Sequence, residues 1–213
     1  MRTCALLWPF SFGVRLGWAT TSVPNPPLET ALARVYVLRG QAMVFSRGFG
    51  MVCDRLRAAD VWAEDLRCVG DRWARRHILA DHRAGRLRGP LVFIGHSCGG
   101  RYALFTAQQL AAAGIAVDLL MCVDVALPYP VAANVRQAVH LYRSRWRLYP
   151  ARPLVAVPGF SGRLDNIDLD APSSPLRERW LHHLNITARP AVQDWLVTRV
   201  LEVVRTSEPR ARA

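Results

Sequence analysis

Lysine is absent from this chain. All 28 basic residues are arginines, set against 16 acidic ones, for a formal net charge of +12. A charge of that size ordinarily points to nucleic acid or an anionic membrane surface. Here the arginines are scattered, no dense basic run is interleaved with aromatics, and alanine is abundant, as GC-rich coding bias produces. Nucleic acid is therefore not an expected partner, and membrane association is not required. Cysteine is also scarce. Cys4, Cys53, Cys68, Cys98 and Cys122 make an odd count with no C-x-x-C spacing, which argues against a zinc site or a disulfide framework. Internal repeats are missing, and the most apolar N-terminal run is too short to cross a bilayer. What remains is 213 residues with 51% hydrophobic content: one domain with a sizeable core, not a disordered chain.

The first 22 residues have two readings. Arg2 precedes an apolar run from Cys4 to Val14, with Gly17 and Ala19 at a cleavage-like spacing, as in a short secretory signal. Pro9 and Arg15 interrupt that run, as they would in an N-terminal arm. Location is accordingly open between cytoplasm and export. Val23-Pro24-Asn25-Pro26-Pro27 has the composition of an extended linker, so residues 1–32 are taken as arm or signal plus linker. Residues 33–206 form the expected domain, and 207–213 a frayed tail.

Within that domain strands and helices alternate, the pattern of an α/β fold with a parallel sheet. Val35 to Leu38 reads as a strand. Ser46 is placed to cap a helix bearing Phe49, Val52, Cys53 and Leu56 on one face. A short strand near Asp60 to Ala63 and a helix from Cys68 to Ala84 follow. Leu91 to Ile94 suits a strand buried on both faces, and Ala116 to Val123 another. Asn134 to Tyr142 looks helical, Pro153 to Val157 reads as a strand, and 159–175 as a polar loop. A last helix carries Pro190 in its first turn and Val192, Trp195, Leu196, Val200 and Val203 on one face. Arg143-Ser144-Arg145-Trp146-Arg147 is read as a solvated face, with contact to an anionic headgroup or phosphopantetheine as the alternative.

Chemistry concentrates at Gly95-His96-Ser97-Cys98-Gly99, a G-x-S-x-G between a buried strand and an apolar-faced helix. In a nucleophile elbow the serine occupies a strained strand-to-helix turn with its hydroxyl exposed above the sheet. The glycines are required where a Cβ would collide with neighbouring backbone. A serine hydroxyl needs a base, usually a histidine oriented by a carboxylate, and both should lie in loops at the carboxyl edge of the sheet. Six histidines compete. His96 lies inside the elbow with its side chain expected to diverge from Ser97. His77 and His82 suit a helix surface, and His140 a packed helix. His182 and His183 fall late enough in the chain, and His183 is preferred. For the acid, Asp124 ends the apolar run Leu119 to Val123, where an unpartnered carboxylate would be costly. Asp165, with Asp168 and Asp170 behind it, is the alternative. The oxyanion donors would be the Cys98 N–H and one near Gly40-Gln41-Ala42, with Gln41 chosen. Phe45, Tyr129 and Phe160 are the expected acyl-pocket residues.

Taken together, Val35 to Gly40, Phe45 to Gly48, Gly95 to Gly100, Val123-Asp124 and His183 to Ile186 make the chain resemble the α/β-hydrolase superfamily. The likeness is to small bacterial members of the serine esterase, lipase and thioesterase kind. The resemblance spans Val35 to about Val204 and implies Ser97 as nucleophile, His183 as base and a carboxylate at Asp124. That acid position is the minority one in the superfamily. The implied fold is a three-layer, mostly parallel sheet of about five or six strands with helices on both faces and no large lid, lacking the first two strands of larger relatives. The implied activity is hydrolysis of a small-molecule carboxylic ester or thioester through an acyl-enzyme, with no metal or organic cofactor. Acyl transfer by the same residues, or a non-catalytic binding role on the same fold, stays open, as does the oligomeric state.

Overall fold

The computed structural model describes residues 23–41, 46–125, 127–145 and 151–207. The possible export signal therefore lies outside the described residues. Its sheet has six strands: β1 (Arg34–Leu38), β2 (Trp62–Leu66), β3 (Leu91–His96), β4 (Leu119–Val123), β5 (Gln137–Tyr142) and β6 (Arg163–Asp168). They lie in the order β2-β1-β3-β4-β5-β6, and every pairing is parallel. Among the described residues four α-helices accompany them: α1 (Gly48–Arg57), α2 (Asp71–Arg83), α3 (Cys98–Ala111) and α4 (Pro190–Thr206). With α1 and α4 on one face of the parallel sheet and α2 and α3 on the other, this is a three-layer α/β architecture.

Side-chain alternation along the strands builds the layers. Val35, Val37, Val92, Ile94, Met121 and Val123 face one way, joining Phe49, Val52 and Leu56 of α1 and Leu196 and Val200 of α4 in one core. Tyr36, Leu38, Phe93, Leu120 and Cys122 face the other way, against Ala74 and Ile78 of α2 and Ala103, Leu104 and Leu110 of α3. β1, β3 and β4 are buried along their whole length, which is why they read as continuous apolar runs. The chain leaves β1 for β2 on one side and returns to β3 on the other. The strand order reverses there, at the carboxyl ends of β1 and β3, which is where α/β sheets generally bind ligands.

Three expectations from the sequence are corrected. Residues 134–142 contain β5 instead of a helix. Its Ala138 and His140 face one layer while Val139 and Leu141 face the other, and a short apolar run carries no periodicity that separates strand from buried helix. The stretch 153–157 makes only a single bridge, Val131 to Ala156, with Val155 exposed. The sixth strand is instead β6, within the stretch taken for a loop. It pairs only with β5, so one edge and much of its surface stay polar. Its Asn166 side-chain amide bonds both the N–H and the C=O of Leu154.

Val23 and Asn25, in the segment read as a linker, lie against the domain. Asn25 Oδ1 accepts from the Ala63 N–H of β2 and from Arg57 Nε, and the Val23 N–H donates to Asp54.

Candidate active site

β3 ends at His96, α3 begins at Cys98, and Ser97 between them has φ 55° and ψ −126°. That backbone region is reserved almost entirely for glycine and costs about 1–3 kcal/mol. Close packing fixes it. A Cβ on Gly95 would stand 2.4 Å from Gly100 Cα, and one on Gly99 2.2 Å from the Leu38 carbonyl. Only glycine lets α3 start so near β1 and β3. The turn thus holds the half-buried Ser97 at the carboxyl edge of the sheet.

Two other loops meet it there. Asp124 follows β4 directly, with φ 49° and no solvent exposure. Its N–H donates to the Leu141 carbonyl at 2.7 Å, and the next N–H, of Val125, donates to His140 Nε2 at 3.1 Å. His183 stands on the turn between Trp180 and the short 3-10 segment Ile186–Ala188 and is 9% exposed. Its Nδ1 lies 2.8 Å from Asp124 Oδ2 and its Nε2 3.1 Å from Ser97 Oγ. With the Nδ1 proton donated to the carboxylate, Nε2 is left to accept from the serine hydroxyl. Asp124 is separated by 59 residues from its histidine partner, and Ser97 by 86.

The remaining candidates are placed elsewhere. Asp165 sits on β6, with Arg163 Nε at 2.7 Å and Arg199 Nη2 at 3.9 Å. Asp168 accepts the Ser144 and Asp170 N–H groups. Burial raises its carboxyl pKa, but these bonds outweigh that and hold it below its ordinary range. Asp170 pairs with Arg143 at 2.7 Å. His182 is exposed, its N–H donating to Asn185 Oδ1. His77 is exposed against Trp73 on α2. His140 belongs to β5, not to a helix, and is fully buried, with its pKa pushed down by burial to about 4.

Cys98, the first residue of α3, places an N–H next to Ser97. Gln41 is exposed, one residue past Gly40, and Phe45 lies outside the described residues. Tyr129 packs on Phe105 with centroids 5.4 Å apart and accepts a hydrogen bond from Arg101 Nη2 at 3.2 Å. Phe160 packs into the same α2–α3 layer.

Three features escaped the sequence. Ser46 caps no helix: the N-cap of α1 is Arg47, without a side-chain bond. Its Oγ instead accepts the Gly40 N–H at 2.9 Å and lies 2.8 Å from His96 Nδ1. His96 does not turn away from the site, since its ring centroid is 4.6 Å from that of His183. Arg143 is no solvated cation. It grips Asp170 and donates to the Leu181 carbonyl, two residues before His183. A buried serine and histidine near an elbow could have prompted the first two, but nothing local marked Arg143.

Among the described residues no group of three or more His, Cys, Asp or Glu is placed to hold a metal ion, and no helix is long and apolar enough to cross a membrane.

A family model for the thioesterase domain matches residues 76–148, about a third of the chain, including Ser97 and Asp124 but not His183. Among solved structures, a putative hydrolase of the α/β superfamily from Xanthomonas campestris pv. campestris is similar at 16% identity and a TM-score of 0.45. The match covers 80% of this chain and 99% of that one. The NocB thioesterase domain from the nocardicin cluster is similar at 12% identity and a TM-score of 0.47, covering 83% and 96%. No curated protein matches.

Proposed function

We propose that this protein is a serine hydrolase that cleaves a carboxylic ester or thioester of a small molecule through an acyl-enzyme. The observation that carries the proposal is the hydrogen-bonded chain from Ser97 Oγ through His183 to Asp124, at 3.1 and 2.8 Å. Ser97 Oγ attacks the carbonyl carbon while His183 Nε2 takes its proton. Asp124 holds the imidazole in the required tautomer and stabilises the imidazolium. The Cys98 N–H and a second N–H from the loop after β1, near Gln41, meet the developing oxyanion. Loss of one such donor typically lowers the rate ~10²–10³-fold. Collapse of the tetrahedral species breaks the carbonyl–oxygen or carbonyl–sulfur bond, and the leaving group takes the proton from His183. Water then attacks the acyl-Ser97 ester, with His183 again as base, and the free acid departs.

The thioesterase-domain match over residues 76–148 favours a thioester as the substrate. Esters and thioesters share this machinery, and a thiolate leaves with less need of a proton.

A fluorophosphonate probe tests the proposal directly. The wild-type protein should become labelled and Ser97→Ala should not, with both shown to be folded by circular dichroism. An unlabelled but folded wild type would leave the fold with a binding role only. Comparing p-nitrophenyl butyrate with butyryl-coenzyme A then ranks ester against thioester.

A further inference from the structure

We infer that Ser46 and His96 are positioning residues, a hydrogen-bonded pair that locks the loop after β1 against the nucleophile and backs the imidazole of His183. The inference rests on the serine-hydrolase reading above. Both side chains are sealed in the core, Ser46 at 0% and His96 at 1% exposure. Burying two polar side chains there is unfavourable unless they find partners, and Ser46 Oγ and His96 Nδ1 find each other. The Gly40 N–H donates to Ser46 Oγ at 2.9 Å. Having accepted there, the Ser46 hydroxyl turns its own proton to His96 Nδ1, 2.8 Å away. His96 is neutral in this pair, with Nδ1 facing the Ser46 hydroxyl and Nε2 buried. Burial first, and the neighbouring charge of His183 second, press its pKa down to about 3, against a smaller opposing effect from the His183 backbone.

The far end of this chain touches the chemistry. A Cβ placed on Gly40 would lie 3.3 Å from Ser97 Cβ and 3.2 Å from His96 Nδ1. The loop thus rests on the nucleophile with no room to spare. The His96 ring, with Phe49 edge-on behind it at 6.4 Å, lies 4.6 Å from the His183 ring. When His183 becomes an imidazolium during the reaction, the group behind it must carry no charge. A buried neutral histidine meets that need and still supplies the acceptor that Ser46 requires. Gly40's own N–H is consumed by Ser46, so Gly40 is not the donor that would join the Cys98 N–H at the oxyanion.

Isosteric variants separate a hydrogen-bonding role from simple packing. Asn at position 96 keeps an acceptor near the Nδ1 position, while Leu fills the space without one. Ser46→Ala and His96→Leu are each expected to lower kcat for a p-nitrophenyl ester and the rate of fluorophosphonate labelling about 10–100-fold, with KM within about twofold. His96→Asn should stay within about fivefold of wild type, and Ser46→Ala/His96→Leu should be no worse than the weaker single variant, since the pair acts as one unit. Packing alone would make Leu the better replacement and Asn the worse. If Asn proves worse than Leu, or if Ser46→Ala is as fast as wild type, the positioning role is overturned while the hydrolase reading stands. If the wild type itself takes no label, both fall together. Thermal melts of each variant accompany the kinetics, so that a rate lost through unfolding is counted against the inference.

Discussion

At the scale of single residues, the arrangement turns on where the two carboxylates that the sequence offered for one role end up. Asp124 is fully buried with His183 Nδ1 as its partner, whereas Asp165 is spent on Arg163 and Arg199. Replacing Asp124 by Asn keeps the shape but allows the amide to donate, which favours the wrong imidazole tautomer. Turnover of an ester substrate should fall by about 10⁴, while Asp165→Asn should remain within about threefold of wild type. Equal losses in the two variants, measured as kcat/KM on folded protein, would remove Asp124 from the proposed mechanism. The sequence already favoured Asp124, because five apolar residues leading to a carboxylate imply a buried partner. It misjudged His96 and Ser46, because adjacency in a motif says nothing of where a ring points after a strained turn.

At the scale of elements, the loop bearing His183 contains no regular structure beyond the short segment Ile186–Ala188, so other bonds must hold it. Asn185 Nδ2 and Arg189 Nη2 both donate to the Trp180 carbonyl. The Arg143 guanidinium, at the end of β5, donates to the Leu181 carbonyl from one side and to Asp170 from the other. With Nε and Nη2 converging on Asp170 Oδ1 and Nη1 on the Leu181 carbonyl, the guanidinium acts as a geometric clamp. Arg143→Ala should therefore lower kcat about 10-fold or more by loosening the base, and Arg143→Lys should fail to restore it, since an ammonium cannot bridge both partners at once. A lysine variant with full activity would show that the clamp does not position His183. None of this was legible from a run of arginines flanking a tryptophan. β5 and β6 were likewise obscure: one is short and apolar on both faces, and the other is a polar edge strand. β1, β3, β4, α1, α3 and α4 announced themselves, through continuous burial or a single apolar face.

At the scale of the whole molecule, the core contains titratable groups that are stable only when neutral. His96 is pressed to about 3 and His140 to about 4, in both cases chiefly by burial, whereas an unfolded histidine titrates near 6.5. Between those limits the unfolded chain binds more protons than the native one, so stability rises with pH across the window. The protein should be most stable above about pH 6.5 and lose roughly 2 kcal/mol per histidine by pH 5. Thermal melts at pH 7.5 and pH 5 measure this, and His96→Asn should flatten the dependence. A melting temperature that does not change between the two would contradict it.

The sequence by itself determined the alternation of strand and helix, the turn at Ser97 and the chemistry of the three side chains that meet there. Those are matters of local pattern: apolar runs, glycines where no Cβ fits, and residue types whose reactivity is intrinsic. Tertiary structure alone decided that residues 59 and 86 positions away from His183 come within hydrogen-bond reach of it. It also decided that the buried Ser46 hydroxyl takes the Gly40 N–H beside Ser97, and that Arg143, just past the fifth strand, reaches the Leu181 carbonyl near His183. Such pairings depend on which strand lies beside which and on where each loop leaves the sheet, and no local pattern encodes that.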